Sequence, residues 1–289
     1  MTSKEIIDFY RQPGTMTALG MHAGRFAVLA GDVASIADAV HGLYIHEHIA
    51  GAYGVEISDE RRPEVHIRSN LERVKCLLAR DSRPLNEPRP LGERMVANCR
   101  HYSTFTVAGL REHGIPARAR CGFGTYFSPG WGVDHWVVEY WNGERWVMAD
   151  AQLDAFQRER FGIDWNVLDM PAGRFIVAGE AWKRCRNGEA DPEKFGILDM
   201  AGLWFIAGNL IRDVASLNKM EMLPWDSWGA MAQPGEEIAA ERMALFDRLA
   251  EMTVHPDECF AELQAAYESD ALRVPSVVFN AVHGRPEAV

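Results

Sequence analysis

The amino-acid sequence predicts an α+β fold in which helical flanks border a short core of antiparallel strands. Apolar residues recur at helical spacing through residues 16–56, as they do in amphipathic helices. The dipeptide Asn142-Gly143 lies between segments rich in Val, Tyr and Trp, which is typical of a β-hairpin. No linker-like stretch divides the chain, so we expect one compact unit over 1–289. Its expected parts are a mainly helical flank over 1–90, a core over 91–165 and a mainly helical region over 166–289.

The composition is that of an ordinary globular protein with an acidic balance. Of the 289 residues 47% are hydrophobic and 25% are charged, and the net charge at pH 7 is −11. This charge disfavours nucleic acid and anionic membrane surfaces as partners, because both attract a basic face. The N-terminal residues lack the apolar segment of a secretion signal, and there is no run of about 18 apolar residues. We therefore expect neither nucleic acid nor a membrane among the partners.

The cysteines are dispersed and form no Cys-x-x-Cys pair. They occupy positions 76, 99, 121, 185 and 259. Dispersed cysteines without a secretion signal are typical of reduced thiols in an intracellular protein. The sequence thus predicts free thiols and a cytoplasmic location.

The N-terminal flank contains two predicted helices and a loop. A stripe of apolar residues over 33–44 follows Asp32, which is a suitable N-cap. A second helix is predicted over 69–80. The segment 83–94 contains three prolines, which exclude a continuous helix, so a loop is expected there.

The central segment NCRHYSTFTVAGLREHGIPARARCGFG predicts a helix over 98–112 and a strand over 117–123. Gly114 fits the position just beyond the helix, and Pro116 prevents its continuation. Further helices are predicted near 198–220 and 235–252. The helix over 98–112 therefore begins with a cysteine.

The segment DHWVVEYWNGERWVMAD over 134–150 predicts the hairpin. A two-residue turn at Asn142-Gly143 would place His135 opposite Asp150 on one face of the ladder, within reach of a hydrogen bond. A carboxylate in that position fixes the orientation and tautomer of the imidazole. A one-residue bulge would instead send the two side chains to opposite faces.

Cys99 has two possible roles, which the pattern alone leaves open. A free cysteine is most often a small buried core residue. At the start of a helix, however, the dipole of the helix favours the thiolate. Together with His135 and Asp150, Cys99 would form a nucleophile, its base and an orienting acid.

Other clusters have simpler interpretations. Zinc-ligand residue types occur at Cys99, His101, His113, Cys121 and His135. Their spacing matches no standard zinc site, so no metal is expected.

His46 and His48 in YIHEHI are predicted to diverge on a helix and to form a solvated polar turn. The tryptophans at 131, 136, 141 and 146 are expected mainly to pack the core and the hairpin.

The three segments around Cys99, His135 and Asp150 resemble the catalytic core of the transglutaminase-like superfamily. The resemblance covers residues 98–152: a helix opened by cysteine and ended by Gly-Ile-Pro-Ala-Arg, then DHWVVEYW, then RWVMAD. It implies a papain-like α+β core in which a helix with an N-terminal cysteine packs on an antiparallel sheet. It also implies Cys99 as nucleophile, His135 as general base and acid, and Asp150 as the residue that orients His135.

The sequence departs from the family pattern at two points. Ala151-Gln152 replaces the Pro-Thr that often follows the aspartate. Some relatives hold the oxyanion with a tryptophan upstream of the cysteine, whereas the first tryptophan here is Trp131. The backbone N–H of Cys99 is therefore expected to act with a second donor, for which Asn98 and Arg94 are the candidates.

The resemblance implies cysteine-dependent acyl transfer through a thioester, without a cofactor. The expected substrate is a peptide or a small amide or ester, and the reaction is either hydrolysis or formation of a new amide. The alternative is a non-catalytic scaffold of the same fold that binds a partner through its helical flanks.

Overall fold

Residues 2–289 are described by a computed structural model, and its mixed helices and strands confirm the α+β class. The α-helices are α1 (Ser3–Arg11), α2 (Val33–Leu43), α3 (Asn70–Arg80), α4 (Cys99–Glu112), α5 (Ala155–Arg160), α6 (Ala178–Arg186), α7 (Leu203–Leu217), α8 (Ala240–Val254) and α9 (Phe260–Tyr267). The β-strands are β1 (Tyr44–His46), β2 (Met95–Ala97), β3 (Ala117–Gly124), β4 (Gly132–Trp141), β5 (Trp146–Ala149), β6 (Phe175–Val177), β7 (Phe195–Ile197), β8 (Met200–Ala201), β9 (Asp226–Ser227), β10 (Val277–Asn280) and β11 (Arg285–Ala288). Short 3₁₀ helices cover Gly20–Val28, Ala50–Tyr53, Arg62–His66, Leu91–Glu93 and Pro192–Lys194. The region after residue 166 thus adds short strands to its predicted helices.

The strands form three sheets. In the largest, the order is β6-β3-β4-β7-β8, and β5 also pairs with β4. The β4–β7 pair is parallel, whereas β3–β6, β4–β5 and β7–β8 are antiparallel. The parallel pair β1–β2 stands apart, and β9, β10 and β11 form an antiparallel sheet of their own. The predicted antiparallel core is therefore part of a mixed sheet.

Contacts within the chain group the residues into two units. The first unit comprises Ile7–Ala119 and Val137–Met170. The second unit comprises Arg120–Trp136 and Pro171–Val289, together with the residues up to Ile6. Neither unit is a single stretch of sequence, because the chain passes from one to the other within β3 and again within β4. The division into consecutive parts at residues 90 and 165, in one compact body, stays a prediction.

Helices α2 and α3 begin where their capping residues indicate. The side chain of Asp32 accepts a hydrogen bond from the N–H of Ser35 at 2.8 Å. Ser69 accepts one from the N–H of Glu72 at 3.3 Å. Each bond satisfies one of the amide groups that a helix leaves unpaired at its N-terminus. Both predicted helices are confirmed to within a residue or two.

Helix α4 is buried along its length, from Cys99 through Arg111. The rings of Phe105 and Phe26 lie 4.9 Å apart, and the amide nitrogen of Asn70 donates to the carbonyl of Thr104 at 2.7 Å. A Cβ atom at Gly109 would lie 2.9 Å from Ile36 in α2, so glycine permits the close approach of these two helices. This helix is therefore enclosed by its neighbours and is not an amphipathic surface helix.

The turn between β4 and β5 has four residues, and the predicted two-residue turn at Asn142-Gly143 is wrong. The side-chain oxygen of Asn142 accepts hydrogen bonds from the N–H groups of Glu144 and Arg145, each at 2.9 Å. Asn142 thus closes the loop through its side chain, as asparagine commonly does in turns. Gly143 takes the positive φ of 104° that such a loop requires.

The longer turn changes the register of the hairpin by two residues. Trp141 pairs with Trp146, and Val138 pairs with Ala149. One step beyond the last pair, Asp150 comes opposite Val137, so the predicted pairing with His135 is wrong. Because side chains alternate with a period of two, a shift of two residues preserves the predicted faces.

The tryptophans of this region make the packing contacts expected of them. Trp136 is fully buried. The rings of Trp141 and Trp146 meet edge to face at 5.7 Å. The ammonium group of Lys194 lies 4.8 Å from the ring of Trp131, in a cation–π contact. Their contacts are those of core and hairpin packing.

A buried ion pair links β3 to α7 within the second unit. The guanidinium of Arg120 donates to both carboxylate oxygens of Asp213, at 3.1 and 2.8 Å, and also to the carbonyl of Thr253 at 2.7 Å. The backbone N–H of Cys121 donates to the same carboxylate at 2.9 Å. Asp213 thus satisfies two buried donors on one strand.

Within residues 2–289, no single helix has the length and apolar character of a membrane span. The segments Gly20–Val28 and Val33–Leu43 meet that criterion only together, and a bend of 109° separates them. The cytoplasmic location and the absence of membrane and nucleic-acid partners stay predictions.

Candidate active site

Cys99 is the first residue of α4 and follows β2 after a single intervening residue. Strand β2 runs parallel to β1, with His46 opposite Ala97. Only 7% of Cys99 is exposed to solvent. The thiol therefore lies at the junction between a strand end and a helix N-terminus, where the positive end of the helix dipole favours an anion.

The position of β2 is fixed by a buried glutamate and a buried arginine. The carboxylate of Glu64 accepts a hydrogen bond from the N–H of Val96 at 2.6 Å and pairs with Arg61 and Arg80. Arg73 donates to the carbonyls of Val96 and Glu64, at 3.0 and 2.7 Å. Charge-assisted bonds of this kind are stronger than neutral ones. They hold the strand that leads into Cys99.

His101 closes the first turn of α4 and uses both ring nitrogens to do so. Nδ1 accepts a hydrogen bond from the backbone N–H of Asn98 at 3.1 Å, so Nε2 carries the hydrogen that faces the carbonyl of Ile67 at 3.2 Å. Complete burial lowers the pKa of His101 well below its ordinary value. This neutral ring has no nitrogen left for a metal. Among residues 2–289 no group of three or more His, Cys, Asp or Glu side chains is arranged to hold one.

Asn98 is the N-cap residue of α4, with the extended backbone angles φ −123° and ψ 176°. Its side chain is 4% exposed, and its amide nitrogen Nδ2 has no hydrogen-bond partner within the described part of the chain. A buried donor without a partner is costly. Asn98 therefore holds an unused N–H donor next to Cys99.

Arg94, the other candidate oxyanion donor, has one of its N–H groups engaged elsewhere. Its Nε donates to the carbonyl of Arg89 at 3.0 Å. The comparison favours Asn98 over Arg94 as a donor beside the thiol.

His135 lies in β4 within the second unit and is surrounded by aromatic rings. Its ring centre lies 4.8 Å from that of Phe127, 6.0 Å from that of Tyr126 and 6.4 Å from that of Phe175. Only 2% of His135 is exposed. The neighbouring carboxyl group of Asp134 points elsewhere, since it accepts a hydrogen bond from Asn209 at 2.7 Å. Packing thus restricts the orientation of the imidazole.

Asp150 lies directly after β5, in the first unit with Cys99 and Asn98. Its backbone N–H donates to the carbonyl of Val167 at 2.7 Å, and its carboxylate accepts a bond from the N–H of Gln152 at 3.0 Å. The side chain of Gln152 in turn donates to Gln157 at 3.0 Å. The backbone N–H of Gln152 therefore helps to position the buried carboxylate of Asp150.

Sequence reasoning missed one residue at the end of β1. The prediction of a helix through YIHEHI is wrong, because Tyr44–His46 forms a strand. The next residue, Glu47, donates its backbone N–H to the carbonyl of Ala97 at 2.8 Å. Continuing the register of β1 and β2 by one residue places Glu47 opposite Asn98, where neighbouring backbones lie about 4.8 Å apart. A three-residue parallel pairing leaves no periodicity from which this neighbour could be predicted.

The carboxyl group of Glu47 is half-buried and isolated. Burial raises its pKa from 4.5 to about 7. No hydrogen bond or ion pair reaches this carboxyl group from residues 2–289. In the neighbouring ring of His46, Nδ1 accepts a hydrogen bond from the backbone N–H of His48 at 3.2 Å.

Replacing Glu47 with glutamine is expected to stabilise the protein above neutral pH. The raised pKa means that the folded state binds this proton more tightly than the unfolded state, so wild-type stability falls as the pH rises from 4.5 to about 7. Allowing for partial solvent exposure, the variant should gain about 1–3 kcal/mol over wild type between pH 4.5 and 8. Urea unfolding at pH 5 and pH 8 measures the difference.

The matched control for this measurement is Glu56→Gln, which removes the same charge from an exposed position. Its stability relative to wild type should not change between the two pH values. If the difference in unfolding free energy between Glu47→Gln and wild type is the same at pH 5 and pH 8, the carboxylate of Glu47 is not isolated in the folded protein.

Comparison with known proteins agrees with the resemblance. Residues 53–151 match the model of the Transglutaminase-like superfamily. No curated protein matches the chain. Among solved structures, a Cytophaga hutchinsonii protein described as a “putative cysteine protease” matches with a TM-score of 0.36 and 14% identity, over 61% of this chain and 46% of that protein. The chain thus spans under half of that protein's length. The predicted resemblance is confirmed by this match over residues 53–151, which contain Cys99, His135 and Asp150.

Proposed function

We propose that this protein is a cysteine-dependent acyl-transfer enzyme in which Cys99 is the nucleophile, His135 the general base and acid, and Asp150 the residue that orients His135. The observation that carries the proposal is the unused amide donor of Asn98 beside a cysteine that opens a buried helix. A structural cysteine has no need of a neighbouring unpaired donor. The superfamily match over the same residues supports cysteine-based catalysis in general.

The proposed reaction proceeds through a thioester. The sulfur of Cys99 attacks the carbonyl carbon of an amide or ester, and its proton passes to His135. The bond to the leaving nitrogen or oxygen then breaks while His135 returns that proton to the leaving group. Water or an amine attacks the thioester and His135 accepts the proton of the attacking group; the bond to the sulfur then breaks, and His135 passes this proton to the leaving sulfur of Cys99.

The oxyanion is bound by two N–H donors. One is the backbone N–H of Cys99, in the first turn of α4. The other is Nδ2 of Asn98. Donors held in place before the reaction stabilise the negative charge that develops on the carbonyl oxygen. The proposed substrate is a peptide or a small amide or ester, and none of these steps requires a cofactor.

Alkylation of Cys99 by iodoacetamide across pH 4–10 tests the nucleophile and its base. In the wild type, labelling of Cys99 is expected to be fast at pH 6, well below the ordinary thiol pKa of about 8.5. In His135→Ala, labelling at pH 6 should be about a hundredfold slower, because the thiolate loses its ion-pair partner. Mass spectrometry of the digested protein gives the rate at each cysteine.

The other thiols provide internal references. Burial raises the pKa of Cys185 to about 11, and burial together with acidic neighbours raises the pKa of Cys259. Neither should label at pH 6. If labelling of Cys99 first rises near pH 8.5 and is unchanged in His135→Ala, the proposed catalytic role of Cys99 is wrong. That result would favour a non-catalytic scaffold of the same fold.

A further inference from the structure

We propose that Glu47 selects substrates that carry a cationic group close to the reacting carbonyl; this inference rests on the proposed function of Cys99. Glu47 extends β1 beside Asn98, the residue that precedes Cys99. The ends of β1 and β2 therefore bring an acidic residue and an amide-bearing residue to neighbouring backbone positions just before α4. A substrate that fits both residues carries an acyl group, whose carbonyl oxygen Asn98 binds, and an ammonium or guanidinium group, which Glu47 binds.

The structure supplies no cation for Glu47 from its own side chains. The arginines near β2 contact other acceptors: Arg61 and Arg80 pair with Glu64, Arg73 donates to backbone carbonyls, and Nε of Arg94 donates to the carbonyl of Arg89. A partly buried carboxylate without a partner is unfavourable, and an opposite charge within about 4–6 Å relieves that cost. A cationic ligand would provide the missing charge.

Two residues whose polar side chains have no protein partner within the described chain occupy neighbouring backbone positions here. Nδ2 of the 96%-buried Asn98 lacks an acceptor within the described chain, and the carboxylate of Glu47 lacks a donor there. Buried polar groups in folded proteins are generally paired. Because no hydrogen bond joins the two side chains, each is available to a different group of one substrate.

Charge-matched thiol reagents test the inference without knowledge of the substrate. The probes are 2-aminoethyl, methyl and 2-sulfonatoethyl methanethiosulfonate, which are cationic, neutral and anionic. In each case the Cys99 thiolate attacks the sulfenyl sulfur, a disulfide forms, and methanesulfinate leaves with the electron pair. Rates are measured by mass spectrometry at pH 8.5 with all three reagents and also at pH 6 with the neutral one, with Cys76 of the same molecules as the reference thiol.

The expected result is a preference of Cys99 for the cationic reagent that depends on Glu47. Relative to Cys76, the ratio of cationic to anionic rates should fall about threefold to tenfold in Glu47→Gln. The ratio should stay at the wild-type value in Glu56→Gln, which removes an exposed charge. In the wild type it should also fall as the salt concentration rises, because salt screens the interaction.

A ratio that is equal in the wild type and Glu47→Gln, or that does not respond to salt, would overturn the inference. The neutral reagent separates this failure from a failure of the proposed function. If Cys99 reacts faster than Cys76 with the neutral reagent at pH 6 but shows no charge preference at pH 8.5, the catalytic role stands and the role of Glu47 falls. If Cys99 reacts no faster than Cys76 with the neutral reagent at pH 6, the catalytic role falls, and with it the substrate role of Glu47.

Discussion

Replacing Asp213 with alanine is expected to lower the free energy of unfolding by about 3–5 kcal/mol. The side chains of Arg120 and Asp213 are 3% and 0% exposed, so the variant leaves an arginine charge buried without its partner. It also leaves the backbone N–H of Cys121 without an acceptor. Urea unfolding followed by circular dichroism measures the loss.

The double variant Arg120→Met/Asp213→Leu separates the effect of an unpaired charge from the effect of lost packing. Because it removes both charges, it should recover much of the stability that Asp213→Ala loses. If Asp213→Ala costs less than about 1 kcal/mol, which is the range of an exposed pair, the charge is not isolated from water as the structure indicates.

Replacing Asn98 with serine is expected to slow acylation of Cys99 by about 10²–10³-fold, the usual effect of removing one oxyanion donor. Serine caps helices about as well as asparagine, so α4 should begin at the same residue. The shorter hydroxyl group cannot place a donor where Nδ2 of Asn98 lies. The measurement is the burst of p-nitrophenolate when the protein is mixed with p-nitrophenyl acetate, used as an ester probe.

Alkylation of the same variant by iodoacetamide is the control. Displacement of iodide forms no oxyanion, so the Asn98→Ser variant should alkylate Cys99 at the wild-type rate. An equal loss in both reactions would show that Asn98 acts on the thiol itself, and an unchanged acylation rate would remove Asn98 from the oxyanion site.

Local patterns in the sequence were enough to predict the helices that carry their own start signals. Asp32 and Ser69 cap α2 and α3 through bonds to residues three positions away, so the information is local. The helix opened by Cys99 was likewise predicted, because Gly114 and Pro116 mark its end. The identity of the candidate catalytic residues followed from the same local motifs together with the family resemblance.

The features that the sequence did not predict depend on side-chain contacts within a turn or on pairing between segments that are distant in sequence. The hairpin register was wrong by two residues because the side chain of Asn142 closes a four-residue loop, which competes with the two-residue turn of Asn-Gly. The parallel pairing of Tyr44–His46 with Met95–Ala97 joins segments some 50 positions apart. Glu47 was missed for that reason, since its place beside Asn98 exists only once β1 and β2 have paired.

The burial of α4 has a consequence for how this protein can diversify. The helix is fixed at both ends: His101 is bonded to Ile67, while Arg111 donates to Tyr10 and Ala117, each at 3.0 Å. With 14 residues it spans about 21 Å, and a change at either end would displace the thiol at its start. Natural variation should therefore be sparse along the helix and concentrated at the ends of β1 and β2, where one exchange at Glu47 alters the charge near the thiol and leaves the helix intact.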